Sequence, residues 1–207
     1  APVTICNKLK ELGYKGRFVT FGSVFEMGET HEERFFTEED VLISTCTAPN
    51  DYTVSKRMLS RFVSSYKHDF THWHFYIPTI YGAGENPKRL IPYIINAIRD
   101  GEELHFTAGD QTRQYVHVNE VPRILALAFE KDLPSGLYNI QGKETFTVKE
   151  IVTEIHHAMG KEVPEGCFGG VQRADVGMKY LALDGKKLHD AIGFDATIKI
   201  TDVIDSY

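Results

Sequence analysis

The sequence predicts an α/β protein, built from a parallel sheet and a smaller α/β subdomain. Two observations predict it. Over the first hundred residues, short apolar strands alternate with helical stretches at the spacing of βαβ units, the arrangement that yields parallel strands. Beyond that, the strands shorten and their order mixes with helices. The 207 residues suffice for one sizeable domain, or a large one with a small one attached.

Each element has a local reason. "APVTICNKLKELGY" opens the chain with Val3, Ile5, Leu9 and Leu12 on an approximate helical stripe. The chain starts inside that helix and without methionine, which leads us to expect residues before Ala1. "RFVTF" (17–21) is a short apolar strand after a Gly13/Gly16 turn, and 28–50 reads as polar and irregular. "DYTVSKRMLSRFVSSYKHDF" (51–70) is an amphipathic helix capped by Asn50 or Asp51. "HWHFYIPTIYG" (72–82) is a buried strand running into a glycine turn. "PKRLIPYIINAIRDG" (87–101) is a helix opened by proline and closed by glycine. "ELHFTAG" and "RQYVHV" are short strands, and "NEVPRILALAFEK" (119–131) is a helix with Asn119 as cap. "SGLYNIQG" (135–142) is a strand. "TVKEIVTEIHHAMG" (147–160) is a helix with a Thr147/Glu150 capping box and a terminal glycine. A short helix around "DGKKLHDAIGF" and a partial helix close the chain.

Composition excludes several functions. The net charge of -6 argues against a nucleic-acid binder, which is usually basic or carries a basic stripe. The acidic run "THEERFFTEED" (30–40) reads as a solvated face. No apolar run approaches the ~18 residues of a membrane span, and no signal peptide opens the chain. Cys6, Cys46 and Cys167 are odd in number and far apart, with no Cys-x-x-Cys, which fits a reducing cytosol better than a disulfide framework or zinc site. In "HWH", strand alternation puts His72 and His74 on one face. No carboxylate or thiol joins them at a metal-binding spacing, so we read them as structural, with no metal.

The chemistry concentrates in "NDYTVSK" (50–56). Tyr52 and Lys56 stand one helical turn apart and so share a face. The pair alone proves little. Its helix follows a strand ending in "FGSVFEMG" (21–28), with Ser23 where parallel sheets hold their ligand sites. A free phenol titrates near pH ~10 and a neighbouring ammonium favours its phenolate. A serine hydroxyl can hold the substrate oxygen beside it. Such a trio exchanges a proton at an alcohol or carbonyl while a nicotinamide moves hydride.

With that trio and the motifs around it, the chain resembles the extended short-chain dehydrogenase/reductases, in the branch of NAD(P)-dependent nucleotide-sugar epimerases, dehydratases and 4-ketoreductases. "FGSVFEMG" resembles the family's Ser/Thr strand end, and "YTVSK" its Tyr-x-x-x-Lys. "IPTIYGAGE" resembles its Tyr-Gly turn, and "AGDQTRQYVHVNEV" its Gly-Asp…Arg strand. "GLYNIQGKETFTVKEI" and "RADVGMKYLALDGKKLHDAIGF" resemble two later stretches. Each match is weak alone; the family order makes the set specific. The resemblance implies a Rossmann-like parallel sheet, lacking its first strands here, with a C-terminal α/β substrate-binding subdomain. Residues 1–82 would be the later part of the NAD(P)-binding domain. Residues 83–207 would mostly bind the nucleotide sugar, with 103–131 partly returning to the first sheet.

The same resemblance implies residue roles. Tyr52 is the general acid/base. Lys56 assists it and holds the nicotinamide ribose. Ser23 binds the reacting sugar oxygen, and Pro78 walls the nicotinamide. Thr79, Arg89, Arg113, Tyr115 and Arg173 contact the substrate, with Arg113 and Arg173 as cations for the diphosphate. A homodimer through a face that includes the Tyr52 helix is also implied. Departures from the family are plain. The glycine-rich dinucleotide loop does not occur in these 207 residues, so they are not expected to hold NAD or NADP well by themselves. Tyr76 replaces a frequent arginine, Thr79 an asparagine, and Asn119-Glu120 an Asp-Asp pair. Val24-Phe25 stand where the family's dehydratases carry Asp-Glu, which disfavours 4,6-dehydration. A 4-ketoreductase is the expectation, a 4-epimerase the alternative. A non-catalytic relative that binds a nucleotide sugar or a partner is the reading from another class.

Overall fold

A computed structural model describes residues 1–171 and 177–207. Three strands form a parallel sheet in the order β1 (Arg17–Ser23), β2 (Thr71–Ile77), β5 (Gly136–Asn139). Their register sets Arg17 opposite Thr71 and Ser23 opposite Ile77, so β1 and β2 end together. Period-two alternation sorts their side chains. Trp73 and Phe75 face a core shared with Ile124 and Ala128 of α5 (Glu120–Glu130) and Leu188 and Ile192 of α7 (Lys186–Ile192). Thr20, His72 and His74 point the other way, under α3 (Asp51–Ser65). A layer of helix therefore covers each face, as parallel strands require. Helix α1 (Pro2–Glu11) lies beside α3.

The second sheet has the order β3 (Thr79–Tyr81), β4 (Thr112–His117), β6 (Glu144–Thr147), with β7 (Tyr180–Leu181) also on β4. The β3–β4 pair is parallel and β4–β6 antiparallel. Its core joins Tyr81 and Tyr115 to Ile91, Ile94 and Ile95 of α4 (Leu90–Asp100) and Ile151 and Ile155 of α6 (Val148–Ala158). A third cluster, Val24, Met27, Phe36, Val41, Tyr76 and Leu183, lies between the sheets. Asn139 Nδ2 crosses the same seam, donating to Phe36 O at 2.8 Å and Asp184 O at 3.0 Å.

Several elements differ from the sequence reading. The strand expected over 72–82 is two strands in two sheets. Pro78 has no N–H to continue a ladder, and the chain changes sheet there. The stretch 28–50 holds a helix, α2 (Glu38–Ile43), opened by a Thr37/Asp40 capping box. "ELHFTAG" is not a strand: Phe106 takes its backbone bonds from the loop at Cys167 and Gly169. The Tyr52 helix stops at Ser65, and α4 starts at Leu90, with Pro87 outside it. Asn119 makes no side-chain cap, whereas Asn50 and Thr147 do. Within 103–131 the strand lies in the second sheet and only α5 packs on the first; β5 supplies the first sheet's third strand.

Candidate active site

Ser23 ends β1 and caps the short 3-10 helix Val24–Met27. Its Oγ accepts the Phe25 N–H at 3.2 Å, and its own N–H donates to Glu26 Oε1 at 2.8 Å. The reciprocal pair fixes the backbone on both sides of the hydroxyl. Gly28 closes the turn at φ +75°, where a β-carbon would also collide with the Arg57 guanidinium and the Thr47 carbonyl. Arg57 holds the same turn from α3: Nε donates to Glu26 O at 2.6 Å, Nη2 to Met27 O at 2.9 Å and Nη1 to Cys46 O at 2.7 Å.

Helix α3 starts at the Asn50 cap, whose side chain accepts the Thr53 N–H at 3.0 Å. That start puts Tyr52 in the first turn and Lys56 directly after it on one face. Lys56 Nζ lies 5.6 Å from the Tyr52 ring centroid and donates to Phe21 O at 2.7 Å. The Tyr52 ring meets Phe25 edge-on at 6.5 Å. Lys56 thus leans on the residue two before Ser23, and Tyr52 on the residue two after it. The trio gathers at the carboxyl end of β1. Tyr52 is 49% exposed and Ser23 7%, an accessible phenol beside a sheltered hydroxyl. Pro78, buried, follows Ile77 and so sits at the same sheet end.

Thr79, Arg113 and Tyr115 belong to the second sheet, and Arg89 binds to its first strand. Thr79 begins β3, opposite Tyr115. Arg113, 9% exposed, donates through Nη1 to Thr112 O at 2.8 Å and Lys179 O at 3.4 Å. Tyr115, on the same face of β4 by alternation, is 1% exposed inside the second core. Arg89 pairs with Glu85 at 2.9 Å and donates to Ile80 O at 2.9 Å. Arg173 lies outside the described residues. The structure thus gathers Ser23, Tyr52, Lys56 and Pro78 at one sheet end and ties Thr79, Arg89, Arg113 and Tyr115 to the neighbouring sheet.

Sequence reasoning missed the residues beneath the trio. Glu26 is fully buried, and Ser60 of α3 donates to its Oε2 at 2.6 Å. Burial pushes the Glu26 carboxyl up; the Ser60 hydroxyl, the Ser23 N–H and the charges of Lys56 and Arg57 pull it back. A signal was present: Tyr52, Lys56 and Ser60 follow at steps of four and line one helix face. Two surface hollows flank α7, one of about 530 Å³ beside Glu38 and Lys187, one of about 690 Å³ beside Gln141 and His189; neither shares a residue with the trio.

A three-stranded parallel sheet thus carries the Tyr-x-x-x-Lys helix across the end of its serine-bearing strand. The chain belongs to the NAD dependent epimerase/dehydratase family, whose model matches residues 1–140. It is 28% identical over 149 residues to dTDP-glucose 4,6-dehydratase 1 of Escherichia coli K12, a match covering 68% of this chain and 38% of that protein. Its fold is similar to that of dTDP-glucose 4,6-dehydratase from Bacillus anthracis in complex with NAD, with a TM-score of 0.81, 19% identity, and coverage of 99% of this chain and 65% of that one. It is equally similar to UDP-glucose 4-epimerase from Thermotoga maritima with UDP-glucose, at a TM-score of 0.81, 19% identity and the same coverage. The chain spans well under half the length of the E. coli relative and just under two thirds of the two solved chains.

Proposed function

We propose that this chain carries the proton-transfer half of an NAD(P)-dependent enzyme that oxidises and reduces C4 of a nucleotide sugar without removing water. The observation that carries the proposal is the bracketing of Ser23 by Lys56 at Phe21 and Tyr52 at Phe25. Lys56 uses one of its three ammonium donors on Phe21 O, which leaves donors for ribose hydroxyls and a positive charge beside the phenol. Those groups fit the nicotinamide end of a dinucleotide. The nicotinamide, when bound, supplies the hydride acceptor and donor. The chain's own residues move the proton: Tyr52 takes it from, or returns it to, the C4 oxygen, and Ser23 donates a hydrogen bond to that oxygen. The Lys56 ammonium stands beside that phenol, 5.6 Å from the Tyr52 ring centroid. Pro78 borders the nicotinamide, and Thr79, Arg113 and Arg173 serve the nucleotide sugar, with Arg89 and Tyr115 in supporting positions.

Dehydration also needs an acid and a base at the sugar. Val24, fully buried, and Phe25, against the Tyr52 ring, fill the family's Asp-Glu positions, and Glu26 is buried on its own hydrogen bonds. Epimerisation therefore fits the family best; the 4-ketoreductase reading fits the same trio. The test is to supply the complete protein with NAD or NADPH and UDP- and dTDP-hexoses or their 4-keto derivatives. A C4 epimer with no net change in reduced cofactor supports the epimerase. Stoichiometric NADPH consumption with a 4-keto substrate supports the ketoreductase. A 4-keto-6-deoxy product overturns the proposal, and absence of any cofactor binding favours a non-catalytic binder. Tyr52→Phe is expected to lower kcat by about 10²–10⁴-fold with ligand binding retained. Wild-type turnover in that variant removes Tyr52 from the mechanism.

A further inference from the structure

Behind the trio runs a line of buried polar side chains that the proton transfer at Tyr52 does not use. Glu26 Oε1 accepts the Ser23 N–H and Oε2 accepts the Ser60 hydroxyl. Ser60 Oγ also meets His74 Nε2 at 2.9 Å. His74 Nδ1 meets Thr20 Oγ1 at 2.8 Å, and Thr20 Oγ1 meets His72 Nε2 at 2.8 Å. None of Glu26, Ser60, His74, Thr20 and His72 is more than 6% exposed. The arrangement is tight: a β-carbon on Gly22 would stand 2.6 Å from Glu26 Oε1 and 2.7 Å from His74 Nε2.

Proton counting fixes its direction. Each hydroxyl carries one proton and each neutral imidazole one N–H. Burial keeps both imidazoles neutral, pushing His74 down to about 3 and His72 to about 4. If Glu26 is a carboxylate, Ser60 must donate to it and accept from His74 Nε2–H. His74 Nδ1 then accepts from Thr20, and Thr20 accepts from His72 Nε2–H. The line ends on His72 Nδ1, buried and without a partner among the described residues. In this direction the unmatched atom is a bare lone pair. The reverse direction buries an unmatched N–H, the rarer and costlier defect. The orphan at His72 therefore selects the orientation that a Glu26 carboxylate requires.

The geometry points to Glu26 as a positioning residue for Ser23 whose charge is locked, through Ser60 and Thr20, to the tautomers of His74 and His72. The groups facing Glu26 are the Ser23 N–H from β1, Lys56, Arg57 and Ser60 from α3, and His74 and Tyr76 from β2. A charged Glu26 holds the Ser23 backbone and stands under the two cations. Gaining a proton at Glu26 requires every hydroxyl and imidazole in the line to reverse together. The line itself is independent of the proposed reaction; the positioning of Ser23 rests on that reaction.

Long-range ¹H–¹⁵N spectra of the imidazoles at neutral pH test the line. The wild type is expected to show His72 and His74 as Nε2–H tautomers, and an Nδ1–H form of His74 overturns the inference by itself. In Glu26→Gln the amide oxygen keeps the Ser23 N–H, so its NH₂ must donate to Ser60. Both histidines then switch to Nδ1–H. Adding Thr20→Val lets His74 switch while His72 no longer follows. A folded Glu26→Gln with unchanged tautomers sinks the proposal. For positioning, Glu26→Ala in the complete enzyme is expected to lower kcat about 100-fold with KM for the sugar nucleotide unchanged, as misplacement of a reacting group does. Glu26→Gln is expected to restore most of it, and equal loss in both variants removes the positioning role. An inactive wild type would count against the proposed reaction, and the tautomers would still decide the line.

Discussion

Arg57 shows how one side chain can hold a site it never enters. Its guanidinium satisfies three backbone carbonyls, at Glu26, Met27 and Cys46, with charge-assisted bonds. A methyl in its place leaves those part-buried carbonyls without that donor. Arg57→Ala is expected to cost about 3 kcal/mol, read as a lower urea midpoint at unchanged m-value. A loss within ~0.5 kcal/mol would mean that the turn after Ser23 holds itself. Tyr52, Lys56 and Ser23 could be proposed from the sequence because the roles proposed for them depend on residue type and short spacing. Arg57 and Glu26 could not. Their importance comes from which carbonyls and hydroxyls lie nearby, and those come from segments 11 to 34 residues away.

At the scale of elements, the alternation that puts His72 and His74 on one face holds in β2, and it does more than fill a core. One face offers Trp73 and Phe75 to α5 and α7; the other offers His72 and His74 to Thr20. The two imidazoles are buried neutral, with values depressed to about 4 and about 3. The unfolded chain takes up protons near pH ~6.5, which the folded chain refuses until well below that. Their contribution is therefore complete above pH ~6.5 and is lost as pH falls toward 4 and then 3. The urea midpoint is expected to drop between pH 7 and pH 5, by an amount that shrinks in His72→Gln; a flat profile would contradict neutral burial. Where elements were misread, long-range partners decided. The apolar run through Pro78 looks continuous, yet only the choice of neighbour, β1 or β4, assigns each half to its sheet. The stretch at 103–109 has strand-like residues but no strand to join, since Phe106 pairs with a loop. Short β6 and α2 lie below the length at which periodicity speaks.

For the whole molecule, the sequence pattern predicted a parallel sheet with a smaller α/β subdomain, and an amphipathic helix over 51–70. Val54 is 45% and Met58 68% exposed, one turn apart on that helix. No helix among the described residues is long and apolar enough to cross a membrane. We propose that Val54 and Met58 meet a second copy of the chain, in the homodimer that the family resemblance implies. Met58→Glu is expected to shift the complete protein from dimer to monomer in light scattering; a monomeric wild type, or a variant that stays dimeric, would rule out this face. What the sequence left open was how the layers join, because the seam is built from Val24, Met27, Phe36, Tyr76 and Leu183, drawn from across the chain.

The change of sheet at Pro78 takes a single residue. Anyone grafting the second sheet of another family member onto this chain has no slack there to absorb a mismatch. The donor segment must arrive with its first strand already aligned, or Pro78 will be dragged out of place at the end of the first sheet.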